Sequence, residues 1–172
     1  MIWLRLMKHQ SLNLLFLVLV LSSVTLTTSC DLFFSSARAL ELENQPQVVK
    51  DFVQQLNAHR VSEGLSPLVW DPQVTAAALG HSRDMSNRNF FAHNAPAPNA
   101  STPWDRLADQ GVEYTAAAEN IAKGQTTGNK VLQDWLSSSE HRKNIENGTY
   151  THHGVGYVAE GKYWTHKFIR YK

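Results

Sequence analysis

The chain has 172 residues, 42% of them hydrophobic, and a formal net charge of +1, which suits one buried core plus an appendage. Without residues 1–39 it keeps 13 basic and 14 acidic side chains, a net of −1, so it lacks the clustered basic excess that nucleic acid would call for. Its one cysteine, Cys30, lies outside the expected folded region, which excludes an intrachain disulfide framework and a cysteine-based zinc site.

Arg5 and Lys8 precede the apolar run Leu14 to Leu21, and small residues follow as far as Cys30 and Asp31. This is the order of a secretory signal, and the run is shorter than the ~20 residues a bilayer span requires. An extracytoplasmic protein is expected, either secreted or held as a membrane-anchored lipoprotein of a bacterial envelope. Two processing sites stand open. Thr27 to Cys30 (TTSC) resembles a lipoprotein signal in which Cys30 is lipidated, although Thr27 occupies the place where leucine is usual. Ala37-Arg38-Ala39 has the small-x-small form of an ordinary cleavage site after Ala39.

Residues 40–47 are polar and read as a linker, with the folded domain over 48–172. Pro46 opens a helix in which Val49, Phe52, Val53, Leu56 and Arg60 recur at helical spacing, and Gly64 supplies the stop. Asp71-Pro72 is an N-cap followed by proline, and it starts a second helix through about Met85. His81 lies on the apolar row of that helix, where a lone histidine is usually a hydrogen-bonded core residue. Asn89 to Pro98 (NFFAHNAPAP) is a loop carrying His93, with two aromatic residues to anchor it. Thr102-Pro103 begins a short helix that ends at Gly111. Tyr114 to Ala118 is a candidate strand, weakened by its alanines. Glu119-Asn120-Ile121 follows, then a turn-rich stretch to Gly128 and a helix carrying Val131, Leu132, Trp135 and Leu136 on one stripe.

Chemistry concentrates between Trp135 and Tyr157. The Ser137-Ser138-Ser139 run competes with the helix through side-chain hydrogen bonds, so the helix should end there. Glu140 and His141 are adjacent, and adjacent helical residues do not share a face. Thr151–Val158 and Lys162–Tyr171 are rich in β-branched and aromatic residues around Gly161 and predict a hairpin. Alternation along its first strand sends His153, Val155 and Tyr157 one way and His152 the other, so at most one of the two histidines can join His141. About four helices around a small antiparallel sheet predict an α+β fold, a three-layer α-β-α sandwich.

Five separated strings, FFAHNAP, AENIAKG, WLSSSEHRKNI, HHGVGYV and YWTHKF, together resemble the CAP superfamily of cysteine-rich secretory proteins, antigen 5 and pathogenesis-related proteins, in its bacterial SCP-domain branch. The resemblance covers about residues 48–171. It implies an α-β-α sandwich with a cleft lined by two histidines and one or two acids. His93 and His141 match the histidines and Glu119 one acid, with Glu140 as a second candidate. His166 departs from the pattern, since relatives commonly read YWTQ where this chain has YWTH.

Two imidazoles and a carboxylate, here His93, His141 and Glu119, are a donor set that suits zinc or another divalent metal. A hydrogen-bonded network that only fixes the loops is the plainer alternative. The resemblance favours a non-catalytic binding module for a small lipid-like or cell-envelope ligand, with no nucleic acid partner and membrane contact only through the leader or a Cys30 anchor. The alternative is a protease-like hydrolase using the same His/Glu cleft, in which Ser138 or Ser139 would be the nucleophile. No HExxH zinc-protease string is present.

Overall fold

The computed structural model describes residues 36–172, so Cys30 and the leader lie outside the described residues. Within the expected linker, residues 41–43 are helical and Leu42 packs against the core. The domain then runs α1 (Gln47–Ser62), β1 (Val69–Trp70), α2 (Pro72–Arg88), α3 (Pro103–Ala108), β2 (Tyr114–Lys123), α4 (Gly128–Ser137), α5 (Ser139–Ile145), β3 (His152–Val158), a 3₁₀ turn (Glu160–Lys162) and β4 (Tyr163–Tyr171). The starts follow local chemistry. Asp71 accepts from the backbone N–H groups of Gln73 and Val74, with Pro72 in the first helical position. Thr102 and Asp105 close a reciprocal capping box ahead of α3.

The four strands lie in the order β1-β3-β4-β2. β3/β4 and β4/β2 are antiparallel, while the two-residue β1 adds to β3 in parallel, so the sheet is mixed. β4 is central, and its side chains alternate between two helical layers. Trp164 and Phe168 meet Val49, Phe52 and Leu56 of α1 and Val131, Leu132 and Trp135 of α4. On the opposite face Ile169 meets Val74 and Ala77 of α2 and Leu107 of α3, while Tyr163 meets Met85. The three-layer sandwich read from the sequence is the fold observed.

Gly154 and Gly156 account for the close approach of α2 to the sheet. A Cβ at Gly154 would run into the backbone of Val74 and Thr75, and one at Gly156 into the backbone of Ala78 and Leu79. Tyr157 is only half-buried, Val155 is buried in the α1/α4 layer, and His152 packs edge-on against Tyr171. His153 goes into the core against Trp70 and His166, so neither strand histidine joins His141.

Two elements differ from the sequence reading. β2 continues past Ala118 to Lys123, because every residue from Ala116 to Lys123 pairs in register with β4 and the alanines need supply no propensity of their own. After the expected break at Ser138, whose backbone is extended, the chain resumes as the short helix α5. Seven residues are too few to be stable alone. α5 is held by buried Ile145 and by the Arg60 guanidinium, which donates to the Ile145 carbonyl at 2.5 Å and the Asn147 carbonyl at 3.2 Å.

Candidate functional site

The candidate residues gather along β2, an edge strand of the sheet. Glu119 stands opposite Lys167 and Asn120 opposite His166, so the two neighbours point into different layers. Glu119 faces the α2/α3 side. There its carboxylate accepts from His93 Nδ1 at 2.9 Å, from Lys167 Nζ at 2.6 Å and from Arg106 at 3.2 Å. Burial would raise this carboxyl, but His93, Lys167 and Arg106 outweigh it and hold it down at about 2. Burial pulls the Lys167 ammonium down to about 8, against the attraction of Glu119.

His93 is placed from several directions. Phe90 packs with Met85 and Ile121 and serves as the expected aromatic anchor, whereas Phe91 is half-exposed. His81, buried as expected, has Nε2 2.9 Å from the Ala92 carbonyl and donates to it, and Arg106 donates to the carbonyl of His93 at 2.8 Å. Burial, followed by the charge of Arg106, lowers His81 to about 4, which keeps it neutral. Because a carboxylate can only accept, the Glu119 bond places a proton on His93 Nδ1 and leaves Nε2 free of that bond. The His93 side chain is 50% exposed and that of Glu119 only 2%.

His141 arrives from the other layer, on α5. Asn120 donates to its backbone carbonyl at 3.1 Å and accepts from Asn144 at 2.8 Å, so the strand fixes the helix that carries the imidazole. His141 is half-buried, and burial followed by the neighbouring His93 charge lowers its pKa. His93 and His141 line one cavity of about 580 Å³ together with Phe91, Ile121, Trp135 and Ser138. His93 and Glu119 also line a second cavity, of about 540 Å³, on the α3 side. Glu140 is exposed on the first turn of α5 and lines neither; it acts on His141 only as a nearby charge.

The donor set tests the expected metal triad. Glu119 is already engaged by two cations and His93, and among the described residues no three His, Cys, Asp or Glu side chains gather as a metal site. Glu119 therefore fits the role of the carboxylate that orients a ligand histidine, not that of a ligand. The donors left for a metal are His93 Nε2 and the His141 imidazole. Ser138 lines the His93/His141 cavity without using its side chain as a helix cap. Among the described residues it makes no hydrogen bond to either imidazole. Arg106, Lys167 and Asn120 were not among the residues singled out from the sequence. A long cation in an amphipathic pattern reads as surface, and only the cross-strand register shows that Lys167 meets Glu119.

With this geometry in place, the chain is assigned by comparison. It belongs to the CAP family (cysteine-rich secretory protein family), whose model matches residues 53–169. It is similar to the Bacillus subtilis protein YkwD, with 43% identity over 70% of this chain and 46% of that protein. It also resembles the B. subtilis membrane protein YlbC, with 38% identity over 70% of this chain and 34% of that one. Among solved structures it is similar to an extracellular protein containing an SCP domain from Bacillus anthracis. That match has 39% identity and a TM-score of 0.66 over 70% of this chain and 39% of that chain. The chain thus spans less than half the length of each of these three proteins.

Proposed function

We propose that the protein is an extracytoplasmic binding module whose groove along β2 takes a small lipid-like or cell-envelope ligand. His93 and His141 are its polar anchors and can also hold a divalent metal such as zinc. The observation that carries this reading is the saturation of Glu119: bound by His93, Lys167 and Arg106, it orients His93 and leaves two accessible imidazoles facing a shared cavity. A buried carboxylate held near 2 is a poor proton acceptor at neutral pH, so Glu119 is not itself a general base. Placement outside the cytoplasm is supported by the basic and apolar order of residues 5–30 and by the description of the B. anthracis relative as extracellular. Anchoring through a lipidated Cys30 belongs to the same proposal. Among the described residues no helix is long and apolar enough to cross a membrane.

Ser138 in the cavity wall keeps hydrolysis as the second reading. Native mass spectrometry of protein from its own host, paired with ester and peptide turnover assays, separates the two. A retained ligand or metal that is lost in a His93→Ala/His141→Ala variant, with no turnover, supports binding. Turnover that disappears in both His141→Ala and Ser138→Ala overturns it.

A further inference from the structure

The cavity of about 540 Å³ on the α3 side of His93 differs in character from the one shared with His141. Resting on the binding reading above, we infer that it is a saccharide subsite, with Trp104 as the platform for a pyranose ring. Trp104 is 44% exposed in a domain whose other described tryptophans, Trp70, Trp135 and Trp164, are at most 5% exposed. Its exposure is built in. The reciprocal Thr102/Asp105 cap fixes the turn, the carbonyl of buried Pro103 accepts from Lys167 Nζ at 3.0 Å, and the indole packs on Tyr114 with ring centroids 6.3 Å apart. The platform is therefore ordered before any ligand arrives, which reduces the entropy lost on binding.

The groups around it match the other half of a sugar. Asn94 and Lys143 line the cavity and make no side-chain hydrogen bond among the described residues. Asn144 spends an amide N–H on Asn120 and keeps its carbonyl oxygen, and His93 keeps Nε2. Amides offer donor and acceptor side by side, as a ring of hydroxyl groups needs. An indole face covers the apolar C–H face of the same ring. The rest of the wall argues against the other classes. Outside the Trp104 platform the apolar wall is only Ala117, Ala118, Pro103 and the buried Tyr150, a short stretch for an acyl chain, and one lysine is not the cation cluster a polyanion needs. The volume lies within the usual range for small-ligand sites.

The test is a ¹⁵N-resolved NMR titration of the full domain with chitotriose and, separately, maltotriose, following the Trp104 indole N–H and the Asn94, Lys143 and Asn144 signals. Saturable shifts with one trimer, weakened at least tenfold by Trp104→Ala and recovered to within a few-fold by Trp104→Phe, are expected. A second variant, Asn94→Ala/Lys143→Ala, should weaken binding while leaving the stacking shift of the indole in place. No saturable shift with either trimer up to about 10 mM, tenfold beyond a millimolar Kd, overturns the inference. So do shifts that survive Trp104→Ala. The His93 and His141 ring signals, followed in protein carrying its retained ligand, keep the two claims apart. If they respond there and the trimers do nothing, the saccharide subsite fails and the binding reading stands.

Discussion

His153 of β3 and His166 of β4 meet inside the core with Nδ1 and Nε2 3.1 Å apart, and both rings are fully buried. One proton fills the space between the two nitrogens, so one ring donates and the other accepts, and the outer atoms, His153 Nε2 and His166 Nδ1, have no hydrogen-bond partner among the described residues. Burial, with the charge of Arg60 adding to it, lowers His153 to about 3, and burial, with His153 and Arg60 adding to it, holds His166 well below its ordinary value. His152 is the other charged neighbour of His153, while Phe52 of α1, Trp135 of α4 and Phe168 of β4 close around His166.

Acid stability follows from that pair. In the unfolded chain each histidine takes a proton near pH ~6.5, whereas in the folded chain His153 resists doing so until near pH 3 and His166 is held well below its ordinary value. The folded state therefore loses stability as pH falls through this window, by up to ~1.4 kcal/mol per pH unit for each extra proton the unfolded chain binds. His166→Gln, which removes one of the two buried imidazoles, should flatten the slope between pH 6.5 and 4.5 in denaturant titrations. An unchanged slope would show that other groups set the acid limit.

Trp135 joins two layers and the site. It is 2% exposed, lies edge-on to Phe52 at 5.6 Å and donates its indole N–H to the Ile121 carbonyl at 3.2 Å. Trp135→Ala should cost ~3–5 kcal/mol in equilibrium unfolding. A loss below about 1 kcal/mol, the scale of a surface change, would mean that α4 does not depend on this side chain.

What could be read in the chain was whatever is written locally. The Asp71-Pro72 and Thr102-Pro103 starts, the serine break and the alternation of His152 and His153 are short-range patterns, and each matches the structure. β2 and α5 were not legible in full, because Ala116–Ala118 are held in the strand by pairing with β4 and α5 is held by distant groups such as Arg60 and Asn120 and by buried Ile145. The site divides the same way. His93 and His141 were visible in family strings, but the charges that fix Glu119 come from Arg106 and Lys167, 13 and 48 positions away along the chain.

That buried charge cluster should be fragile when one member is removed. Glu119→Gln leaves Lys167 and Arg106 together without their carboxylate, and breaking a buried pair in this way typically costs ~3–5 kcal/mol. Adding Lys167→Met should recover part of the loss, because it removes the uncompensated ammonium. Chemical denaturation of the two single variants and the double variant checks this, and strictly additive losses would show that the two groups are not coupled.

The cleft itself gives the last prediction, which rests on His93 and His141 reaching one cavity from opposite layers while Glu119 stays behind them. Zinc at a hundredfold excess over its dissociation constant should stabilise the fold by ~2.7 kcal/mol through mass action. His93→Ala and His141→Ala should each abolish the gain. His152→Ala should keep it, since that ring packs against Tyr171 on the other face of β3. Both imidazoles must be neutral to coordinate. Burial and the nearby His93 hold His141 below its ordinary value, which keeps that ring neutral at pH 7. The gain should be present at pH 7.5 and fade in acid, as the imidazoles take up protons. Thermal melts of the four proteins with and without zinc at pH 7.5 and 5.5 decide the matter: equal zinc shifts in wild type and His141→Ala would remove the metal from the account, leaving the two imidazoles as hydrogen-bonding anchors alone.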